Sequence, residues 1–143
     1  MSYGILQALG GRAVLASEPA STTEWVERIH AGVPFASAVS FKEALALTNA
    51  ELATVLGISP RTLARLDSRQ DRLDPVSGDR LVRAARLYAL AAEVLEDAQA
   101  AARWIKSPQH GLNGAIPLDL AGTDVGTRAV EALLGRMEHG VYT

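Results

Sequence analysis

Seven of the fourteen basic residues are arginines gathered between positions 61 and 86: Arg61, Arg65, Arg69, Arg72, Arg80, Arg83 and Arg86. Asp67, Asp71, Asp74 and Asp79 share that window and leave it three charges positive, although the whole chain carries a net charge of -2. Guanidinium groups interleaved with hydroxyls (Ser59, Thr62, Ser68) suit nucleic acid: arginine bonds guanine in bidentate fashion, and threonine meets a base edge or a thymine methyl. Other chemistries lack the residues to carry them. His30, His110 and His139 are far apart, no HExxH spacing occurs, Gly10-Gly11 lacks a following lysine, and there is no cysteine. The sequence therefore offers no catalytic residue, no metal site and no cofactor cradle, and it reads as a binding protein, not an enzyme. From Asn113 onward the charge balance reverses, with Asp119, Asp124, Glu131 and Glu138 against Arg128 and Arg136. The two ends are expected to meet different partners.

The arginines need a scaffold, and the segment from Asn49 to Ser68 supplies one. Asn49 to Gly57 and Pro60 to Ser68 read as two short helices joined by a turn. Ala53 is the small residue where the helices cross, Gly57 occupies the turn, and Leu52, Leu56, Ile58, Leu63 and Leu66 pin both helices to a common core. Ser59 caps the second helix, and Pro60 takes its first position, where a missing N–H costs nothing. With Leu63 and Leu66 inward, the outward residues are Ser59, Arg61, Thr62, Arg65 and Ser68. In a helix-turn-helix the second helix lies in the major groove. Arg61, Thr62 and Arg65 are the base-reading candidates, while Arg69 and Arg72, just beyond, suit phosphates. The competing reading is a plain αα-hairpin with solvated arginines, and Asp67 and Asp71 weigh toward it because unpaired carboxylates repel phosphate.

The remaining chain reads as helices throughout. Its composition is 48% hydrophobic with only 5% aromatic residues, a balance that favours helix over sheet. Residues 1–20 show no steady period and are expected to form an arm or a short, weak helix. Ser21 to Thr23 offer caps for a helix carrying Trp25, Val26 and Ile29, and a second helix from about Phe35 to Leu45 presents Phe35, Val39, Phe41 and Leu45. Asp74 and Pro75 open a long helix to about Asp97, with Leu81, Ala84, Ala85, Tyr88, Ala91, Ala92 and Leu95 in one stripe widened by Val82, Leu87 and Val94. A shorter helix from Gln99 to Lys106 carries Trp104 and Ile105 and stops at Pro108. Ser107 to Asp119, rich in Pro, Gly and Asn, predicts an irregular connection of fixed turn geometry. Thr123 caps a last helix expected to face Val125, Val130, Leu133, Leu134 and Met137 inward. The expected fold is an all-α, compact helical bundle: an arm over 1–20, a helix-turn-helix half over 21–97 and a C-terminal helical half over 98–143. The apolar stretch near Ile5 to Leu15 lacks a basic start, and no run approaches a membrane span, so a cytoplasmic location is expected.

From about Phe41 onward the chain resembles the Xre/MbcA/ParS antitoxins, partners of RES-domain toxins. The resemblance is carried by Thr48, Glu51, Leu52, Ala53, Leu56, Gly57, Ile58, Thr62, Leu63 and Arg65. In the C-terminal half it rests on Trp104, Pro108, Leu112, Gly114, Pro117, Leu118, Gly126, Val130, Leu134, Gly135 and the closing His139, Gly140, Val141 and Tyr142. It implies a type II antitoxin that covers the active site of an NAD-attacking toxin and contributes to repression of the shared operon by binding operator DNA. Toxin contacts are then expected at Trp104, Asn113, Gly114, Pro117, Thr123, Arg128 and the tail Gly140, Val141, Tyr142 and Thr143. Each has a plain alternative: Trp104 as core, Gly114 and Pro117 as turn formers, Arg128 as a solubilising charge, and the tail as a frayed end. The rival function is a stand-alone transcriptional regulator whose C-terminal region dimerises or senses a ligand. A homodimer is expected because such proteins commonly bind symmetric sites.

Overall fold

A computed structural model describes residues 4–11 and 21–140. Among them run α1 (Ile5–Ala8), α2 (Thr22–Ala31), α3 (Phe35–Leu45), α4 (Asn49–Leu56), α5 (Pro60–Arg69), α6 (Pro75–Leu95), α7 (Ala98–Ile105), a 3-10 turn (His110–Leu112), α8 (Pro117–Leu120) and α9 (Asp124–Glu138), with no strand. The expected all-α class is what the chain adopts. Side-chain caps set the helix starts: Ser21, Thr48, Ser59, Asp74, Asp97 and Thr123 each accept a hydrogen bond from a backbone N–H in the first turn. The α3, α5 and α6 helices end on Ala46, Gln70 and Glu96 in the left-handed region, and at Ala46 and Gln70 the cap N–H donates to carbonyls of the last turn without requiring glycine.

The α6 helix is the spine. Its 21 residues touch α1, α2, α4, α7 and α9, and Leu81, Val82, Ala84, Ala85, Leu87, Tyr88, Ala91 and Ala92 are all buried. The predicted stripe therefore holds, its far end relaxing to half-buried Val94 and Leu95. Alanines on this helix let neighbours approach closely, while leucines and Phe41 supply the buried area, about 1.5 to 3 kcal/mol for each large side chain. Phe41 of α3 meets Tyr88 of α6 edge to face, with ring centroids 6.3 Å apart. The Tyr88 hydroxyl donates to the Ala98 carbonyl at 3.3 Å, so one ring pair ties α3, α6 and the start of α7. The core is continuous, running from Leu52, Ala53, Leu56 and Leu63 through the α6 stripe to Ala101, Ile105, Val130 and Leu134.

Two sequence expectations change. Residues 1–20 were expected to form an arm or a short, weak helix; of them residues 4–11 are described, and there the short helix α1 forms but packs on α3 and α6 with Ala8 and Leu9 fully buried, a firmer attachment than expected. The four-residue helix is too short to persist alone, and it is this apolar contact that holds it. Val125 was expected to face inward but is 79% exposed, because on α9 it shares a helical face with exposed Arg128 and Ala132, away from the face that buries Val130, Leu133 and Leu134. Val130, Leu133 and Leu134 are buried as anticipated, and Met137 packs against the core.

Candidate nucleic-acid and protein interfaces

The α4 and α5 helices form the expected helix-turn-helix. Thr48 Oγ1 accepts from Glu51 N at 3.1 Å while Glu51 Oε1 accepts from Thr48 N at 2.8 Å, a reciprocal capping box that fixes where α4 begins. Leu52, Ala53, Leu56 and Leu63 are buried, with Ile58 and Leu66 half-buried beside them. Gly57 ends α4 at φ 72, and a Cβ there would lie 2.7 Å from Arg80 Nε. The turn thus needs glycine for its conformation and for the arginine packed against it.

The predicted outward face is outward at Ser59, Arg61, Arg65 and Ser68, whereas Thr62 is half-buried. Arg61, Arg65, Ser68 and Arg69 are exposed, and among the described residues the ion pairs are Arg83–Asp79, Arg86–Glu131 and Arg128–Asp124, which leave those three arginines unpaired. Ser59 Oγ accepts from Thr62 N at 3.1 Å and donates to Thr62 Oγ1 at 3.0 Å, so both hydroxyls are engaged in the cap. Ser68 Oγ donates to the Arg65 carbonyl at 3.1 Å. Arg72 differs from its neighbours: its guanidinium donates to the Gly32 carbonyl at 2.7 Å, while Leu73 N bonds Val33 O at 2.9 Å, latching the loop after α5 to the end of α2. Asp67 and Asp71 are exposed, and Asp67 Oδ1 accepts from Gln70.

The C-terminal candidates sit on different supports. Trp104 is half-buried against the core, and Pro117 is buried at the first position of α8. Asn113 and Gly114 are exposed at a loop tip. Exposed Thr123 caps α9, its Oγ1 accepting from Gly126 N at 3.0 Å and its carbonyl accepting from Thr127 Oγ1 at 2.8 Å. One turn on, exposed Arg128 donates to Asp124 Oδ2 at 2.8 Å; that hydrogen bond and the carboxylate's charge raise the guanidinium above its ordinary pKa. Gly140 closes the described chain at φ 76, and Val141, Tyr142 and Thr143 lie outside the described residues.

Sequence reasoning counted Arg80 only as one more basic residue. In the structure its Nε and Nη2 donate to the Val55 and Thr54 carbonyls at 3.0 and 3.1 Å, and Nη1 donates to the Gly122 carbonyl at 3.1 Å. One guanidinium on α6 thereby joins the last turn of α4 to the turn before α9. The flanking glycines, Gly57 and Gly122, are the signal that could have pointed to it, since each leaves room for this side chain.

Comparison with known proteins places the geometry in a family. Residues 24–86 match the antitoxin Xre-like helix-turn-helix domain, and residues 90–140 match the antitoxin Xre/MbcA/ParS C-terminal toxin-binding domain. An antitoxin Xre of Pseudomonas putida is 32% identical over 123 residues, covering 86% of this chain and 76% of that protein. The chain belongs to the Xre antitoxin family. An antitoxin Xre of Yersinia enterocolitica is 32% identical over 98 residues, 68% of this chain and 66% of that protein; one from Photorhabdus laumondii is 29% identical over 94 residues, 65% and 64% respectively. The chain thus spans just under two thirds of the Yersinia and Photorhabdus Xre antitoxins. A chain in the crystal structure of the M. tuberculosis MbcT-MbcA toxin-antitoxin complex superposes with a TM-score of 0.51 at 25% identity, covering 74% of this chain and 94% of that one. Xre antitoxins are binding proteins without enzymatic activity. Among the described residues, no helix is long and apolar enough to cross a membrane.

Proposed function

We propose that this Xre-family chain is the antitoxin of a type II pair, covering the active site of a RES-domain, NAD-attacking toxin with its C-terminal surface and repressing the shared operon by binding operator DNA through α5. The observation that carries the proposal is that residues 90–140 match a toxin-binding domain directly after an Xre-like match over 24–86. On this reading residues 21–97 serve DNA and residues 98–143 serve the toxin, around the shared core, with 1–20 as an accessory arm.

Arg61 and Arg65 read bases, since both are exposed on α5 and unpaired among the described residues. Thr62, Ser59 and Ser68 contribute hydroxyl contacts from the same face. Arg69 holds phosphate, and Arg72 adds whatever donors its bond to Gly32 leaves free. Trp104, Asn113, Gly114, Thr123, Arg128 and the tail from Gly140 to Thr143 form the toxin surface, with buried Pro117 supporting it from beneath, and the tail enters the cleft where a rigid helix does not fit. The working form is a cytoplasmic homodimer within a larger toxin complex, matching a symmetric operator.

The test is genetic and direct. Expression of the adjoining gene alone should arrest growth and deplete NAD, and co-expression of this chain should restore both. Growth unaffected by the neighbour would remove the antitoxin role and favour a stand-alone regulator. Gel shifts on the upstream DNA across a salt series test the second half, because phosphate contacts make affinity fall steeply as salt rises.

A further inference from the structure

In the connection after α7, one residue bonds to the helix end and to both arms of the loop. Gln109 N donates to the Ala115 carbonyl at 3.0 Å, and the Gln109 carbonyl accepts from Leu112 N at 3.0 Å and Gly114 N at 2.9 Å, so its backbone grips both arms of the loop. Its side-chain amide turns back and donates to the Trp104 carbonyl at 3.0 Å and the Ser107 carbonyl at 3.2 Å. The neck of the loop is thereby tied to the end of α7. At the tip the chain reverses through two successive left-handed residues, Asn113 at φ 55 and Gly114 at φ 84. Both are exposed, and a Cβ at Gly114 would meet nothing within 4 Å. Positive φ therefore selects glycine there, while no packing among the described residues does. The loop is fastened at its neck, unusual in backbone at its tip, and covered by nothing of its own.

We infer that Gln109 is a positioning residue that presets the loop from 109 to 115 so that its Asn113–Gly114 tip docks on the toxin; the inference rests on the reading of the C-terminal surface as the toxin-binding one. When the side-chain clasp is lost, the neck pivots about the end of α7 and only a fraction of molecules present the tip correctly. Apparent affinity falls by that fraction. The bound complex keeps its contacts, so the loss lies in the association rate; loss of a direct contact acts mainly on dissociation. The rate split separates positioning from touching.

The test uses the full chain and, as probe, the purified RES-domain protein encoded beside its gene. Gln109→Ala should associate with that protein about tenfold more slowly, with dissociation and operator affinity each within about twofold of wild type. In the free protein, exchange of the Leu112, Gly114 and Ala115 amides should accelerate about tenfold as the loop bonds open. Gln109→Glu offers a second route should the alanine variant fold poorly. Near pH 8 its carboxylate faces two carbonyls with no proton to give and slow association is expected, whereas below about pH 5 protonation returns one donor and part of the rate. An unchanged association rate with wild-type toxin binding intact, or a defect confined to dissociation, overturns the positioning role alone. Unaltered amide exchange in Gln109→Ala overturns the clasp whatever the toxin does. Failure of the wild-type chain to bind the toxin at all sinks the functional reading of that surface and the docking role with it, while the exchange measurement still judges the clasp.

Discussion

The outer face of α5 and the outer face of α9 carry the same charged side chain in opposite states. Among the described residues Arg61, Arg65 and Arg69 stand exposed without a carboxylate, whereas Arg128 on α9 is paired with Asp124, and Arg86 of α6 reaches Glu131 of α9 at 3.5 Å. An arginine without an intramolecular partner keeps its fork of donors free for a phosphate or a guanine. A paired arginine presents a locally balanced surface, suited to a protein partner whose recognition depends on shape and on a few ordered segments. The loop clasped by Gln109 belongs to that second kind of surface. The difference teaches that arginines count toward DNA binding only by the donors left after those committed inside the chain, the three Arg80 gives to carbonyls and the one Arg72 gives to Gly32, are set aside.

The contrast can be broken from either side. The largest effect is expected from Arg61→Ala combined with Arg65→Ala, which should weaken operator binding about a hundredfold, roughly 3 kcal/mol for two lost base contacts, and leave toxin neutralisation intact. A matching loss of neutralisation in growth assays would contradict the division between the two faces. Deletion of Gly140 to Thr143 should come next, leaving operator affinity unaltered and weakening toxin protection about tenfold or more, roughly 1.4 kcal/mol; full protection by the truncated chain would show that the tail is not the plug. Arg80→Ala should touch both faces through the fold. Loss of its charge-assisted bonds to the Thr54, Val55 and Gly122 carbonyls is expected to cost about 2 kcal/mol and lower the melting temperature by roughly 6–10 °C. A melting curve that superposes on wild type would deny Arg80 its joining role. Arg128→Ala should be mildest, leaving stability nearly unchanged because the pair is exposed and screened by solvent, and slowing toxin association about twofold in a manner abolished by salt. A salt-independent loss would instead place Arg128 at the buried centre of the contact.

Helix positions were legible because each is announced locally. Thr48 with Glu51, Ser59 with Pro60, and Asp74 with Pro75 bracket their helices by bonds that span three residues, and the α6 stripe repeats at helical spacing over five turns. The outward set on α5 follows from the same spacing once Leu63 and Leu66 are placed inward. Burial of single residues was less legible: Val125 looks like a core residue by type, yet its helical phase sets it on the face of exposed Arg128 and Ala132. Ala8 and Leu9 look like arm residues, yet α6 offers them a dry surface.

From the sequence alone came the helical class, the turn at Gly57, the arginine-bearing face of α5 and the resemblance to Xre antitoxins, all of which depend on residues close together along the chain. Only the tertiary structure decided which arginines are free and which are committed, that Arg80 joins two segments, and that Gln109 fastens the loop behind the Asn113–Gly114 tip. Arg72 and Arg80 bond carbonyls 25 to 42 residues away in sequence, and the acceptors are backbone groups identical at every position. No pattern of side-chain types can mark such a partner, since what selects one carbonyl over another is where the packed helices bring it.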